Sequence, residues 1–356
     1  MIEYSAKQEE IINATEEKVV VVACASSGKT ATMIGRVQHL LDMGVSPTEI
    51  VVITFTNMAA SEIQSRLDRP PGLFTGTIHA YASSLLTKGG FQREVNKILK
   101  EEQFNKLFEL VDEHPEVVVP VTYLLLDEAQ DTSRKQYDFI FNHVQPKNWM
   151  IFGDYRQSLY SWNGADPHLM IDLSKERGVT TYDLDENYRN SKKVLQYAKR
   201  IIAPLGMDYS DLSIAMREEW GKVDSIDLDY NELLQLILKE NELHHREWRD
   251  WFICCRTNAQ VNEMLKFLNL HSIPCENFHP TDLTLDALSA LRRNNTLKVI
   301  TIHSSKGLES PCVAVIGARF YNEEERCAGY VAATRARDYL IWCKGKKKKK
   351  KVVMWG

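Results

Sequence analysis

Short, nearly all-apolar runs alternate along this chain with stretches whose apolar residues recur at helical spacing. "KVVVVACA" (18–25) predicts a buried strand, and "KTATMIGRVQHLLDM" behind it predicts a helix with Met33, Val37 and Leu40 or Leu41 on one face. Further strands are predicted at "EIVVITFT" (49–56), "VTYLLLDEA" (121–129), "NWMIFGD" (148–154) and "VTTYDL" (179–184). The rhythm restarts after about residue 185 with "GKVDSIDLD" (221–229), "DWFICCRT" (250–257), "LKVITIHSS" (297–305), "PCVAVIGA" (311–318) and "DYLIWC" (338–343). In this second half, helices are predicted over "AQVNEMLKFLNL" and "CAGYVAATRA". Strands that are apolar on both faces and separated by helices argue for mainly parallel sheets with helices on both faces. The expected fold class is therefore α/β, in two domains covering 1–185 and 186–345, with a short insertion at about 85–118 and a basic tail at 346–356.

Composition narrows the class without changing the picture. At 356 residues, 44% hydrophobic and 26% charged, the chain can bury two ordinary globular cores. The N-terminal "MIEYSAKQEE" is polar and no apolar run nears the roughly 18 residues of a membrane span, so a cytoplasmic protein without a membrane partner is expected. The seven cysteines contain no C-x-x-C pair, which favours free thiols over disulfides or zinc. His244 and His245 have no nearby Cys or second His pair to complete a metal site. The net charge of −4 hides seven lysines near the C-terminus, at 344 and 346–351, without which the chain would carry −11. That run reads as a solvated tail able to add salt-sensitive attraction to phosphates, and nucleic-acid binding requires a local basic groove rather than a basic average.

The chemistry starts where the first strand turns into a helix. "ASSGKT" places Gly28, Lys29 and Thr30 at a helix N-terminus, where free N–H groups and the positive dipole end face phosphate. Lys29 can reach the β- and γ-phosphates of ATP, and the Thr30 hydroxyl can bind Mg²⁺. "YLLLDEAQDTS" then delivers Asp127 and Glu128 at the C-terminal end of an apolar strand, where ligands bind in open α/β sheets. Asp127 can hold Mg²⁺, directly or through water, and Glu128 can orient and deprotonate an attacking water.

With these residues in place the chain resembles the superfamily 1 DNA helicases of the UvrD/Rep/PcrA type, in order and along nearly its whole length. "YSAKQEEII" is similar to the family's Q-motif, "VVITFTNMAASEIQSRL" to motif Ia and "GTIHAYASSLL" to the next DNA-contact motif. "LLLDEAQDTS" resembles motif II, "MIFGDYRQSLYSWNGA" motif III and "DENYRNSKKV" motif IV. "VITIHSSKGLESPCVAVIG" resembles motif V and "EEERCAGYVAATRARDYLIW" motif VI. The resemblance implies two RecA-like domains with ATP in the cleft between them. It assigns adenine to Gln8 and Tyr188, phosphate to the loop Ala25, Ser26, Ser27 and Gly28, ribose to Glu309, and γ-phosphate sensing to Gln157. Arg189 and Arg335 would reach the γ-phosphate from the second domain; such arginines are worth on the order of 10³–10⁵ in rate. DNA would be held by Phe55, Thr56, Asn57, His79, Tyr160, Trp162, Asn163, His303 and Ser304. Tyr160 and Trp162, two apart, would share one face of an extended stretch, ready to stack bases of any sequence.

The chain also departs from that family. Glycines usual in the loop are replaced by Cys24 and Ser26, which must take ordinary φ values or accept strain of about 1–3 kcal/mol. Asn163 stands where an arginine is usual, Ala31 follows Thr30 in place of arginine, and Ser310 replaces an aromatic. Only about fifty residues separate His79 from Asp127, and about twenty separate "HSIPCE" from "LKVITIHSS", so the family's two inserted domains are reduced. A helical stretch near "REVNKILKEEQFNKLFELVDEH" stands for the first. The expected function is an ATP-dependent helicase or translocase moving 3′ to 5′ on single-stranded DNA and at single-/double-strand junctions. Its unwinding would be weak without a protein partner. A DNA-binding regulator without catalysis and a P-loop kinase or transferase are the competing readings. A fused nuclease is disfavoured by the end of the chain after motif VI, and RNA remains open as the track.

Overall fold

The structure, a computed structural model, describes residues 3–206, 211–278, 293–318 and 322–345, so the lysine run at 346–351 lies outside the described residues. The chain divides into two compact units, Met1–Tyr188 with Asp211–Ile214, and Arg189–Ser210 with Ala215–Gly356.

The first unit is built on strands β1 (Lys18–Ala23), β2 (Ile50–Thr54), β3 (Phe74–Thr77), β4 (Tyr123–Leu126), β5 (Asn148–Gly153) and β6 (Thr180–Leu184). They form one parallel sheet in the order β3-β2-β4-β5-β1-β6. Val19 and Val21 of β1 pack into one core with Met33, Val37 and Leu40, while Val20 points into the opposite core with Ile78 and Leu85. This two-sided burial explains why the strands read as apolar throughout. The pattern did not predict β3: "FTGT" is too short and too polar to show a period. Helix α1 (Ala6–Ile12) opens the unit, α2 (Lys29–Asp42) follows β1, α3 (Asn57–Arg66) follows β2, and α4 (Ile78–Lys88) follows β3. The stretch expected to be helical forms α5 (Gln92–Lys100) and α6 (Lys106–Glu113). Val95, Ile98, Leu107, Phe108 and Val111 of this pair join the same core as one face of the sheet.

The second unit carries β7 (Lys222–Asp227), β8 (Trp251–Cys255), β9 (Cys275–Asn277), β10 (Leu297–Thr301), β11 (Ser310–Ala318) and β12 (Ala336–Lys344). These also form a parallel sheet, in the order β9-β10-β8-β11-β12-β7. Cys255, Cys312 and Cys343 are fully buried beside Trp251 and Ile253, where they act as small apolar side chains. The last helix runs Glu323–Ala333, starting earlier than the apolar pattern of "CAGYVAATRA" suggests. Asn322 caps it by accepting from the Glu325 N–H, and the acids Glu323–Glu325 complement the positive end of the helix. Both units have the parallel, helix-flanked α/β architecture of RecA-like domains. Among the described residues, no helix is long and apolar enough to cross a membrane.

At the end of β5 the backbone has no room for a side chain. A Cβ on Gly153 would lie 2.5 Å from the Met170 sulfur and 2.8 Å from Gln130 Oε1. Gly153→Ala is expected to destabilise the first unit by about 1–3 kcal/mol through overpacking, read as a lower urea midpoint at unchanged slope.

Candidate nucleotide site and nucleic-acid interface

A phosphate loop must turn its N–H groups inward, so its carbonyls need partners outside. Between β1 and α2 these partners come from scattered parts of the first unit. Arg156 Nη2 donates to Ala23 O at 2.9 Å, and Asn187 Nδ2 donates to Ala25 O at 2.8 Å. The Tyr188 N–H donates to Ser26 O at 3.2 Å, and Gln8 Nε2 donates to Ser27 O at 3.0 Å. Of the two substituted glycine positions only Ser26 is left-handed, at φ 56°, whereas Cys24 takes an ordinary φ and donates its N–H to Leu184 O at 2.8 Å. The strain foreseen for two residues thus falls on one. Gly28 has φ 83°, which favours glycine, and a Cβ there would lie 2.5 Å from Gln8 Nε2 and push that amide aside. Among the described residues, the Ser26 and Ser27 hydroxyls are buried without a hydrogen-bond partner. Two orphaned donors beside inward N–H groups fit a phosphate.

Lys29 and Thr30 begin α2, and Lys29 Nζ lies 3.0 Å from Glu128 Oε1. Burial alone would pull Lys29 down, but Glu128, Asp127 and Asp154 outweigh it and hold the ammonium above the usual lysine value. Asp127 is buried and accepts the Glu128 N–H at 2.9 Å. Glu128 is itself left-handed, at φ 53°. Its Oε2 accepts from Gln130 Nε2, and Gln130 Oε1 accepts the Asp154 N–H at 2.9 Å. Asp154 is fully buried and accepts from Arg156 Nε at 2.6 Å and from Gln157 Nε2 at 2.7 Å. A continuous chain of bonds therefore joins Lys29 and Glu128 to Gln157, and through Arg156 returns to the loop at Ala23. Gln8 sits against the loop, with its Oε1 accepting the Ser5 N–H at 3.0 Å. The Tyr188 ring is 44% exposed beside the loop, with its hydroxyl donating to Glu186 at 2.8 Å.

The nucleic-acid candidates of this unit follow β2, β3 and β5. Phe55 stacks on Tyr160 at 4.9 Å between centroids, and Tyr160 lies 6.3 Å from Trp162, which is 69% exposed. The extended stretch expected for Tyr160 and Trp162 is instead a 3-10 turn over Ser161–Asn163, closed by Gly164 at φ 85°. The turn, not a strand period, brings the two rings together, and it leaves Asn163 exposed at its tip. Thr56 caps α3 by accepting the Ala59 N–H at 3.2 Å, and Asn57 is the first residue of that helix. His79, in the first turn of α4, packs on Phe104 and Phe108 at 5.6 and 5.2 Å, and burial lowers its pKa.

In the second unit, Arg189 Nε bonds Glu309 Oε2 at 2.5 Å and its Nη1 donates to Thr334 O at 3.3 Å. Burial works against the Glu309 charge, but Arg189, then Arg337 and Arg335, hold its carboxyl below the ordinary range. Arg335 is buried and donates to Val331 O, Leu308 O and Thr334 Oγ1 at 3.0, 3.1 and 3.2 Å. Arg189, Glu309 and Arg335 thus gather around the turn at Thr334. His303 and Ser304 lie in a 3-10 turn after β10, where Ser304 donates its N–H to Thr301 Oγ1 at 3.1 Å.

The family model described as the UvrD/REP helicase N-terminal domain matches residues 4–119 and 115–178, and the UvrD-like helicase C-terminal domain matches 296–342. The chain belongs to the UvrD/Rep helicase family. It is 24% identical to the ATP-dependent DNA helicase PcrA of Leuconostoc citreum, over 93% of this chain and 56% of that protein. PcrA of Staphylococcus aureus is 23% identical over 81% of the chain and 53% of that protein. The ATP-dependent DNA helicase Rep of Buchnera aphidicola is 23% identical over 76% and 54% respectively. The chain spans about half the length of the curated relatives it matches.

Within this UvrD/Rep-family chain the residues that sequence reasoning passed over are Gln130, Asp154, Arg156 and Asn187, all buried and all polar. Each stood inside a recognised motif, but its inward orientation leaves no mark on the hydropathy pattern. Ser26 tests the loop directly. Ser26→Gly and Ser26→Ala both delete the hydroxyl, but only glycine relaxes the left-handed backbone. Ser26→Gly is therefore expected to unfold later in urea than Ser26→Ala, by about 1 kcal/mol. Equal midpoints would show that the loop is unstrained at Ser26.

Proposed function

We propose that this chain is an ATP-driven motor that moves 3′ to 5′ along single-stranded DNA and separates strands at single-/double-strand junctions. The observation that carries this reading is the contact between Lys29 and Glu128, in the same unit as the Phe55–Tyr160–Trp162 ladder. A loop lysine paired with a hydrolytic carboxylate suits phosphoryl transfer to water, and a ladder of rings suits a strand of any sequence.

Under this reading Ala25 to Thr30 hold the phosphates, Gln8 and Tyr188 the adenine, and Glu309 the ribose. Thr30 and Asp127 hold Mg²⁺, which when bound neutralises charge developing on the phosphates. Lys29 and Glu128 neutralise each other in the structure. With Lys29 turned to phosphate, the Glu128 carboxylate accepts a proton from water, while Gln130 holds its Oε2 in place. Gln157 reports the γ-phosphate state along the bonds through Asp154, and Arg189 and Arg335 supply positive charge from the second unit. Gln157 is three residues from Tyr160, so that report reaches the ladder within one short segment. Thr56, Asn57, His79, Asn163, His303 and Ser304 complete the DNA track. With its reduced insertions the chain unwinds duplex weakly until a partner protein joins it.

ATP hydrolysis by the purified chain is expected to rise with single-stranded DNA. Lys29→Ala should lose nucleotide binding. Glu128→Gln should keep it while turnover falls about 10²–10⁴-fold. Strand displacement should require a 3′ tail. An ATPase indifferent to DNA would remove the motor reading, and displacement from 5′ tails alone would reverse the polarity.

A further inference from the structure

The chain visits the first unit twice. After Tyr188 it passes into the second unit for Arg189–Ser210, and Asp211–Ile214 then belong to the first unit again before the second resumes at Ala215. This four-residue strap is anchored at both ends. The Ile214 N–H donates to Asp185 O at 2.7 Å, and the Ser213 N–H donates to Asp211 Oδ1 at 2.9 Å, which fixes the Asp211 side chain against its own backbone. Leu212 is 76% exposed, whereas the Asp211 side chain is fully buried. A carboxylate taken out of water requires compensation.

A buried cation lies beside it. Arg156 Nη1 is 3.6 Å from Asp211 Oδ1. Through Nη2 the same guanidinium donates to Ala23 O, at the start of the candidate nucleotide loop, and through Nε it bonds Asp154. A guanidinium is planar, so partners along different edges fix its orientation. Held at Nε alone, it would be free to swing about Asp154 and leave Ala23 O, and Asp211 at Nη1 opposes that rotation. The charge on Asp211 also reaches the loop: burial first, then Asp154 and Asp211, push the Cys24 thiol above its usual value. Asp185, which accepts the Ile214 N–H, is two residues before Asn187, the donor to Ala25 O. The strap therefore bears on two of the four donors that hold the loop.

We propose that Asp211 is a positioning residue for the nucleotide loop, and that the strap couples nucleotide affinity to a segment whose two ends continue into the second unit. The proposal rests on the reading of Ala25 to Thr30 as a phosphate loop and deepens it. With the strap docked, Arg156 holds Ala23 O and the loop is shaped for phosphate. With the strap undocked, that donor is loose. Such coupling is reciprocal, so a bound nucleotide holds the strap down by the same factor by which the strap tightens nucleotide.

The test is ADP affinity together with amide hydrogen exchange of the strap, both in the full chain. In the wild type, saturating ADP is expected to slow exchange at Ile214 about 5- to 150-fold, the usual range for coupled sites, beyond the protection shared by the β5 amides. Asp211→Asn should weaken ADP by the same factor and abolish the extra protection. Leu212→Ala, on the exposed side of the strap, should leave both at wild-type values. A brace that only stabilised the fold would lower the urea midpoint in Asp211→Asn and give the strap no ADP-dependent protection of its own. Exchange at Ile214 that ignores ADP in the wild type, or wild-type ADP affinity in Asp211→Asn, would overturn the proposal and leave the nucleotide reading standing. Equal weakening by Leu212→Ala would also overturn it, since the carboxylate would then have no special part. A wild-type chain that binds no ADP would overturn both.

Discussion

Backbone hydrogen-bond accounting constrains the candidate nucleotide loop more tightly than glycine content does. Inward N–H groups require outward carbonyls, and outward carbonyls in a buried loop require donors. Here the donors are Arg156, Asn187, the Tyr188 N–H and Gln8, drawn from three distant stretches of the sequence. The two that matter most flank Ser26. Asn187 sets the plane of the peptide before it and Tyr188 the plane of the peptide after it, so its φ and ψ are imposed from outside. A serine can therefore occupy a left-handed position that glycine would adopt unaided. In exchange the loop gains a buried hydroxyl that no group among the described residues uses.

Strand order then distributes the chemistry along one edge of the sheet. Reading β3-β2-β4-β5-β1-β6 at the C-terminal ends gives His79, Phe55 with Thr56, Asp127 with Glu128, Asp154 to Gln157, the loop, and Tyr188. The nucleic-acid candidates after β3 and β2 occupy one side, those after β5 share the middle with the carboxylates, and the nucleotide candidates occupy the other side. β5 separates β1 from β4, so motif III reaches the loop at Ala23 on one side and Gln130 beside the carboxylates on the other. Gln130 and Asp154 exploit that position. Removing either would break bonds to more than one neighbour at once, so the network behaves as one unit.

The fold class was legible because strands buried on two faces show as unbroken apolar runs, as in "KVVVVACA". β3 was not, since "FTGT" at the sheet edge has neither length nor apolar character. The candidate reactive side chains were legible because the chemistry proposed for them depends on adjacency in sequence: Gly28 with Lys29 and Thr30, and Asp127 with Glu128. What supports them depends on burial of polar groups, which sequence does not encode locally. Arg156 and Asn187 look like any exposed polar residue until the structure turns them under the loop. The Tyr160–Trp162 spacing was read with the wrong geometry, since Gly164 permits a tight turn where an extended stretch was expected. Arg335 was expected to reach outward, and in the structure it also braces the turn of its own unit.

If external clamps hold Ser26 in its left-handed conformation, losing a clamp should matter less once the position is glycine. The most direct measurement is ADP affinity across the double-mutant cycle of Asn187→Ala and Ser26→Gly. The account requires that Asn187→Ala weaken ADP more in the wild-type loop than in the Ser26→Gly background, with a coupling of about 0.5–3 kcal/mol. Strictly additive losses would mean that Asn187 does not hold Ser26, and that the loop keeps its shape for some other reason.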